Sequence, residues 1–230
     1  GTIVRGENGQ PFPYFFGYKT DGVFQNWDEV YAYTNADGKL VQPDAQPGDF
    51  RYQDLDGDGS ITAEGDRTNL GKCVPSWTYG INASIDWKGI DFSMVWQGVA
   101  GNKIFDATRR TDIPTMNQPK YVLNRWTGEG STNEYPRFTV TDPNQNWSKA
   151  SDFFIKDASY FRLKNVTLGY TLPAKWTNKV FVKKLRVYVA CENALTFTKY
   201  DGFDPEIADY VDRGIYPQSR TVQFGASITF

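Results

Sequence analysis

The acidic stretch Asp54–Thr62 carries the clearest candidate chemistry in the sequence. Its aspartates alternate, and the sixth position is Gly59, as in the first half of an EF-hand loop, where carboxylates converge on one hard cation and the glycine makes the sharp turn. The second half departs from that motif, because position twelve is Gly65 and the next carboxylate comes one residue later. We predict a structural Ca²⁺ site whose ligands are the carboxylates of Asp54, Asp56, Asp58 and Asp66 and the carbonyl of Ser60. The alternative is a solvated acidic turn.

The remaining residues give little support to catalysis. The chain has no histidine, the commonest general base and a common metal ligand, and it has no nucleophile motif. A second acidic cluster lies between Asp201 and Asp212, and paired carboxylates can hydrolyse glycosides. No apolar pocket is indicated around that cluster, so we interpret it as surface solvation. We predict that the chain is not an enzyme and requires no cofactor.

Aromatic residues make up 16% of the chain, and several lie in its longest polar stretch. Trp126 and Trp147 are the candidates for contact with a substrate, because their rings could stack on sugars. The same rings could instead pack the loop against its neighbours, and packing is the interpretation that we favour.

Composition restricts the class of protein. The chain has 230 residues and a formal net charge of -2, so it lacks the basic surface of a nucleic-acid-binding protein. No apolar run approaches the roughly 20 residues of a membrane-spanning helix. Cys73 and Cys191 have no close spacing, and we expect no disulfide between them.

The elements between the polar stretches alternate with a period of two, which indicates strands with one apolar and one polar face. The last strand is apolar at every second position from Val222 to Phe230. In Trp77–Trp87 the apolar row begins and ends in tryptophan. At about 3.3 Å per residue and a tilt near 40°, the two indoles lie about 25 Å apart along a barrel axis, which is the height of an outer-membrane apolar band.

The pattern predicts six strands and a remnant. These are Thr2–Arg5 as the remnant, then Tyr14–Phe24, Trp77–Trp87, Ile90–Gln97, Tyr160–Leu172, Leu185–Phe197 and Val222–Phe230. In Tyr160–Leu172, Arg162 and Lys164 share the spacing of the apolar face, and we expect both to lie above the membrane. Lys88-Gly89 is expected to form a tight turn.

Connections between these strands alternate between short and long. Outer-membrane barrels have short periplasmic turns and long extracellular loops. The alternation therefore predicts extracellular loops at residues 25–75, 101–158 and 199–219. It places Gly89, Ala174 and the carboxyl terminus on the periplasmic side. Six strands cannot close a membrane barrel, because open strand edges in lipid leave backbone groups unsatisfied. We therefore expect this chain to be part of a larger barrel.

Six segments in chain order resemble one known family. They are Phe16–Gln25, Gly48–Asp54, Trp77–Asn82, Leu163–Tyr170, Tyr200–Glu206 and Tyr216–Thr221. Together they are similar to the carboxyl-terminal part of the SusC/RagA family of TonB-linked outer-membrane proteins. The resemblance spans nearly all of residues 1–230.

The resemblance implies an all-β fold, as a transmembrane segment of a 22-stranded antiparallel β-barrel with a plug domain. It implies a bacterial outer-membrane location and TonB-dependent import of oligosaccharides or oligopeptides with a SusD-like surface lipoprotein. The plug and the segment that contacts TonB would lie outside this chain. From the residues alone, a soluble β-module that binds calcium and carbohydrate remains the alternative.

Overall fold

The computed structural model describes residues 3–108 and 117–230 and divides into two compact units. The loop unit comprises Gly1–Val74, Lys103–Lys156 and Asp209–Gly214, and the strand unit comprises Pro75–Asn102, Asp157–Ala208 and Ile215–Phe230. Thr2 of the predicted remnant and residues 109–116 of the predicted loop 101–158 lie outside the described residues.

The elements alternate between short pieces and long strands. The first part of the chain holds β1 (Val4–Arg5), β2 (Tyr14–Tyr18), β3 (Thr20–Val23), α1 (Trp27–Ala32), β4 (Phe50–Tyr52) and β5 (Arg67–Lys72). There follow β6 (Trp77–Trp87), β7 (Ile90–Ala100), β8 (Lys103–Asp106), β9 (Ile155–Asp157), β10 (Tyr160–Thr171), α2 (Ala174–Thr177), β11 (Lys184–Thr198), β12 (Val211–Asp212) and β13 (Thr221–Thr229). Short 3-10 helices span Lys120–Asn124, Asp152–Phe154 and Asn178–Val180. No helix within residues 3–108 and 117–230 has the length and hydropathy needed to cross a membrane.

The strand unit is one antiparallel sheet in the order β13-β11-β10-β7-β6. Five of the six predicted strands form it, and Ile81 opposite Trp96 shows that the predicted apolar rows share a face. β13 and β6 are the edge strands, so within the part of the chain that the structure describes this sheet does not close into a barrel.

The apolar face of this sheet is uncovered. Trp77 is 73% exposed, Ile85 63% and Phe224 83%. Water is a poor solvent for so continuous an apolar surface, and such patches mark contact with lipid or with another protein. The apolar rows that the sequence predicts therefore form one exposed face of the sheet, which we call its outward face.

A β-bulge at Lys164 reverses the alternation within β10. The pairing register shifts between Leu163 and Asn165 against both neighbouring strands. Val166 holds the apolar row on one side of the bulge and Leu163 continues it on the other, so Arg162 is carried to the polar face. The prediction that Arg162 shares the apolar face is wrong, because one inserted residue exchanges the two faces of a strand.

The two short connections, between β6 and β7 and between β10 and β11, lie at the same end of the sheet. Lys88 and Gly89 have φ angles of 49° and 89°, as the two-residue loop of a tight hairpin requires. The amide of Thr171 donates to the carbonyl of Gly89 at 2.7 Å, which joins the end of β10 to the β6–β7 turn. The predicted tight turn is confirmed.

The loop unit consists of small sheets around aromatic clusters. Its sheets run β1-β2-β5, β3-β4 and β12-β8-β9. The predicted strand Tyr14–Phe24 is wrong as a single strand, because Lys19 separates β2 from β3 and the two pieces pair with β5 and β4. Phe50 and Tyr52 of β4 are fully buried, so short strands here serve a packed interior.

Both cysteines are free, as predicted. Cys73 is buried in the loop unit, and burial is the main cause that raises the pKa of its thiol to about 12. A thiol with that pKa stays protonated at neutral pH and is a poor nucleophile.

Candidate functional site

The three alternating aspartates converge in space as the sequence predicts. The carboxylate oxygens of Asp54, Asp56 and Asp58 lie within 4.8 Å of one another. Asp54 accepts hydrogen bonds from the amides of Gly57 and Gly59 at 2.7 and 2.8 Å. These two hydrogen bonds curve the backbone of residues 54–59 around the Asp54 carboxylate. The donor set of closely spaced carboxylate oxygens fits a hard cation such as Ca²⁺.

Asp66, the fourth predicted carboxylate ligand, binds backbone amides of the acidic loop. It is fully buried, and its two oxygens accept hydrogen bonds from the amides of Leu55 and Thr62 at 2.7 and 2.6 Å. It therefore closes the acidic loop by bridging its two ends. A Cβ at Gly65 would clash with the Asp56 carboxylate, so a larger residue at this position would displace that side chain. The amide of Ser60 donates to Asp58 at 2.8 Å.

The two candidate tryptophans have different environments. Trp147 is 3% exposed, it packs with Val122 and Phe154, and its indole N–H donates to the carbonyl of Arg137 at 3.0 Å. This burial favours the packing interpretation for Trp147, and contact with a substrate stays a prediction. Trp126 is partly buried against the Phe50 cluster.

A buried polar network links two distant segments of the loop unit, and sequence reasoning missed it. Asn146 is fully buried; its side-chain oxygen accepts from the amide of Phe50 at 2.9 Å, and its amide group donates to Asp49 at 2.8 Å. Asn144 and Gln42 both donate to the carbonyl of Phe50 at 3.0 Å. The network satisfies backbone groups of the short strand β4, which has few ladder partners of its own.

Arg137 completes that network with a charge. Its Nε lies 2.5 Å from Asp49, which is fully buried, and its Nη1 donates to Gln46 at 2.8 Å. Asp142 accepts from the amides of Asn146 and Trp147, both at 2.9 Å. Asp142 thus fixes the loop locally, while Arg137 and Asn146 tie it to Asp49 in a distant segment of the chain. Asn146 and Asp49 are 97 residues apart in the sequence, and Arg137 and Asp49 are 88 residues apart.

A groove of about 340 Å³ opens in the loop unit beside this network. Its lining combines aromatic and charged side chains, including Phe50, Phe153, Tyr135, Glu134, Asp152 and Lys156. Asp152 is engaged by the amide and hydroxyl of Thr20 at 3.2 and 2.8 Å. Glu134 is exposed, and the Lys156 ammonium lies 5.0 Å from the Phe153 ring centre, so the lining carries one carboxylate and one ammonium group.

The second acidic cluster is not simply a solvated surface. Asp204 is 3% exposed and lies 2.6 Å from Arg162, while Glu206 accepts from Arg162 and Lys164, both at 2.8 Å. Burial raises the pKa of Asp204, but hydrogen bonds from Arg162 and from the amides of Gln218 and Glu206 outweigh it, so the pKa is lowered overall. The interpretation as surface solvation is wrong for Asp204, because the bulge in β10 places the Arg162 guanidinium against its buried carboxylate.

A second ion pair crosses the polar face near the turn end. Arg186 of β11 reaches over Gly169 of β10 to Asp91 of β7, with hydrogen bonds of 2.9 and 2.5 Å. A Cβ at Gly169 would meet the Asp91 carboxylate at 2.5 Å and Arg186 at 2.6 Å. Glycine at this position therefore makes room for the pair.

Comparisons with known proteins place these features in a family context. The chain is 31% identical over 238 residues to TonB-dependent receptor P3 of Formosa agariphila, covering 96% of this chain and 22% of that protein. It is 25% identical over 230 residues to TonB-dependent receptor SusC of Bacteroides thetaiotaomicron, covering 99% of this chain and 21% of that protein. No protein-family model matches the sequence.

The structure is similar to part of a solved transporter. A chain of the RagAB peptide transporter matches with a TM-score of 0.74 and 24% identity, over 100% of this chain and 24% of that chain. The mostly antiparallel β fold predicted from the sequence is confirmed, and so is the resemblance to SusC and RagA-type proteins over this segment. The chain spans about a quarter of the length of the proteins it matches.

Proposed function

We propose that this chain, a segment related to the SusC/RagA family of TonB-linked outer-membrane proteins, forms a carboxyl-terminal part of the barrel wall and its loops in a nutrient importer. The whole protein would be a bacterial outer-membrane, TonB-dependent transporter for oligosaccharides or oligopeptides. It would work with a SusD-like surface lipoprotein, and its plug and TonB-contacting segment would come from chain outside these residues. It would not be an enzyme.

The observation that carries this proposal is the uncovered apolar face of the strand unit. Its aromatic ends, Trp77 and Trp87, are 73% and 62% exposed, and Ile81 between them is 52% exposed. In lipid this row is solvated, and the aromatic ends match the two interfaces of the bilayer. A soluble calcium- and carbohydrate-binding module would have to leave the same face in water.

The proposed topology puts residues 25–75, 101–158 and 199–219 outside the cell and the carboxyl terminus in the periplasm. It is supported by the shared position of the two short connections at one end of the sheet. The loop unit would then face incoming substrate, and Trp126, the less buried of the two candidate tryptophans, would be the aromatic contact. RagAB is a peptide transporter by name, and the carboxylate and the ammonium group that line the groove suit a peptide as well as a sugar.

Cysteine labelling of intact cells tests the membrane topology of the whole transporter. Asp201→Cys is the outer probe, since Asp204 is buried and Asp201 is exposed. Ala174→Cys is the periplasmic probe, and Cys191→Ser removes the partly exposed native thiol. We expect an impermeant reagent to label Asp201→Cys alone. Labelling of Ala174→Cys alone reverses the topology, and a protein that is extracted without detergent supports the soluble module.

We also propose that the acidic loop binds Ca²⁺ as a structural ion, through Asp54, Asp56 and Asp58, with Ser60 and Asp66 as the further predicted ligands. The proposal is supported by three carboxylates within 4.8 Å, whose repulsion a divalent cation would relieve. Affinity should be of the weak extracellular type, about 10⁻⁴–10⁻³ M.

Isothermal calorimetry of the intact protein with calcium tests this ion site. Asp58→Asn should weaken binding and loosen the loop, while the exposed Asp37→Asn should change neither. An unchanged calorimetric signal in Asp58→Asn would exclude Asp58 as a ligand. No heat at millimolar calcium in the wild type would leave the acidic loop as a solvated turn.

A further inference from the structure

An open apolar groove of about 490 Å³ lies on the outward face of the strand unit. Its lining from four neighbouring strands includes Ile90, Leu168, Tyr170, Val187, Val189 and Phe224. Tyr170 pairs with Ile90, which follows the tight turn, so the groove begins at the turn end of the sheet. The volume lies within the range of small-molecule sites, and the lining is almost wholly apolar.

A basic rim borders the same end. It consists of Lys175, Lys179 and Lys183, all exposed and all in the β10–β11 connection. Among the described residues none of the three has an ion-pair partner. The amide of Lys183 donates to the carbonyl of Thr229 at 2.8 Å, which holds this lysine beside the end of β13. An unpaired cluster of lysines favours an anionic ligand.

Large apolar side chains stand among these lysines. Trp176 is 55% exposed, Val180 66% and Phe181 91%. Phe181 also has a φ of 59°, a left-handed conformation that bulky residues rarely adopt. Aromatic and aliphatic side chains interleaved with lysines are typical of the bilayer interface, where rings enter the headgroup region and ammonium groups meet phosphate.

We propose that the groove and its rim together bind one anionic phospholipid of the leaflet that the short turns face. An acyl chain would lie in the groove, and the headgroup phosphate would contact the three lysines. The distance between the lysine rim and the groove suits a single phospholipid. Val187 in the groove follows Lys183 in the rim by four residues, or about 13 Å along the strand. The proposal rests on the membrane placement given under the proposed function.

The test uses the whole transporter that contains this segment, delipidated in detergent and titrated by native mass spectrometry. Phosphatidylglycerol and phosphatidylcholine with identical acyl chains are the probes, with inorganic phosphate as a competitor. We expect phosphatidylglycerol to bind at least tenfold more tightly at low salt, and the preference to fade at high salt because charges are screened. Phosphate should compete only weakly, since it lacks an acyl chain.

Two variants separate the headgroup from the acyl chain. The triple variant Lys175→Gln, Lys179→Gln, Lys183→Gln should weaken phosphatidylglycerol binding about 100-fold, at about fivefold per lysine. Val187→Trp should fill the groove and weaken both lipids. Lys199→Gln, an exposed lysine beyond the other end of β11, and Ile81→Trp, on the same face outside the groove, are the matched controls.

Equal affinity for the two lipids, or an unchanged triple variant, would overturn the lipid site. Full displacement by phosphate would overturn the acyl groove and leave an anion site only. Single Lys→Gln variants keep the test decisive if the triple variant folds poorly. A transporter that is membrane-embedded but shows no lipid preference refutes this site alone, whereas one recovered without detergent refutes the proposed function.

Discussion

The strand unit and the loop unit distribute their apolar residues in opposite ways. In the loop unit, Phe50, Tyr52 and Phe15 are fully buried. In the strand unit, Trp77, Ile85 and Phe224 are largely exposed on one continuous face of the sheet. The loop unit therefore has the interior of a water-soluble fold, while the strand unit needs an apolar surrounding to cover its surface.

Their polar groups differ as well. The strand unit satisfies its backbone through long ladders, and its side-chain ion pairs cross from strand to strand on the polar face. The loop unit has strands of two to six residues, and buried side chains such as Asn146 and Gln42 satisfy the backbone instead. Local alternation is enough to specify the first kind of structure, whereas the second depends on individual long-range partners.

The largest expected effect concerns the buried ion pair between Arg162 and Asp204, in which Arg162 departs from the predicted strand pattern. Arg162→Ala should destabilise the transporter by about 3–5 kcal/mol, because it leaves the buried Asp204 without its cation. Lys164→Ala is the control, since that side chain is more exposed and pairs with Glu206 and Gln218 but not with the buried Asp204. Unfolding by denaturant measures both variants. Equal losses would mean that burial of Asp204 does not decide the cost.

The apolar face gives the next largest effect. Ile81→Arg should cost about 2–4 kcal/mol in a bilayer, because the cation would lie in hydrocarbon. Asn82→Arg is one residue away on the polar face and should cost much less. Folding into lipid vesicles measures the difference, and similar costs for both variants would contradict the assignment of the faces.

The polar network of the loop unit should respond locally. Asn146→Ala should cost about 1–3 kcal/mol, because the buried amide of Phe50 and the carboxylate of Asp49 each lose a partner. Hydrogen exchange should rise at Phe50 while the ladders of β6 and β7 stay protected. Asn82→Ala, on the exposed strand β6, is the control. Matching loss of protection in the strands would show that the two units unfold together.

The smallest effect is expected on acidification. Asp204 has a pKa lowered in the folded state, so its contribution to stability is complete above the unfolded value, about 4. That contribution is lost as the pH falls through the lower folded pKa. Stability measured from pH 7 to 5 should therefore show no change from this group, with a decline below about pH 4. Arg162→Ala should weaken this decline, and an unaltered acid profile in that variant would contradict the assignment.

Some features followed from the sequence because they are local. The period-two pattern of Trp77–Trp87 and of Val222–Phe230 specified both strands and their apolar faces, since neighbouring residues of a strand point to opposite sides. The Lys88-Gly89 turn followed from residue type, and the alternating aspartates from 54 to 58 were enough to predict that their carboxylates converge.

Tertiary structure alone decided the rest. A single bulge at Lys164 moved Arg162 from the apolar to the polar face and made a buried ion pair of an apparent surface acid. Tyr14–Phe24 looked like one strand, yet separate partners divide it at Lys19. Trp147 is buried by a cluster that joins nearby Phe154 to Val122 from another part of the loop. The alternation of side chains along a strand follows from the backbone geometry of adjacent residues. Strand register, strand pairing and side-chain burial depend instead on contacts between distant segments, which the local sequence does not specify.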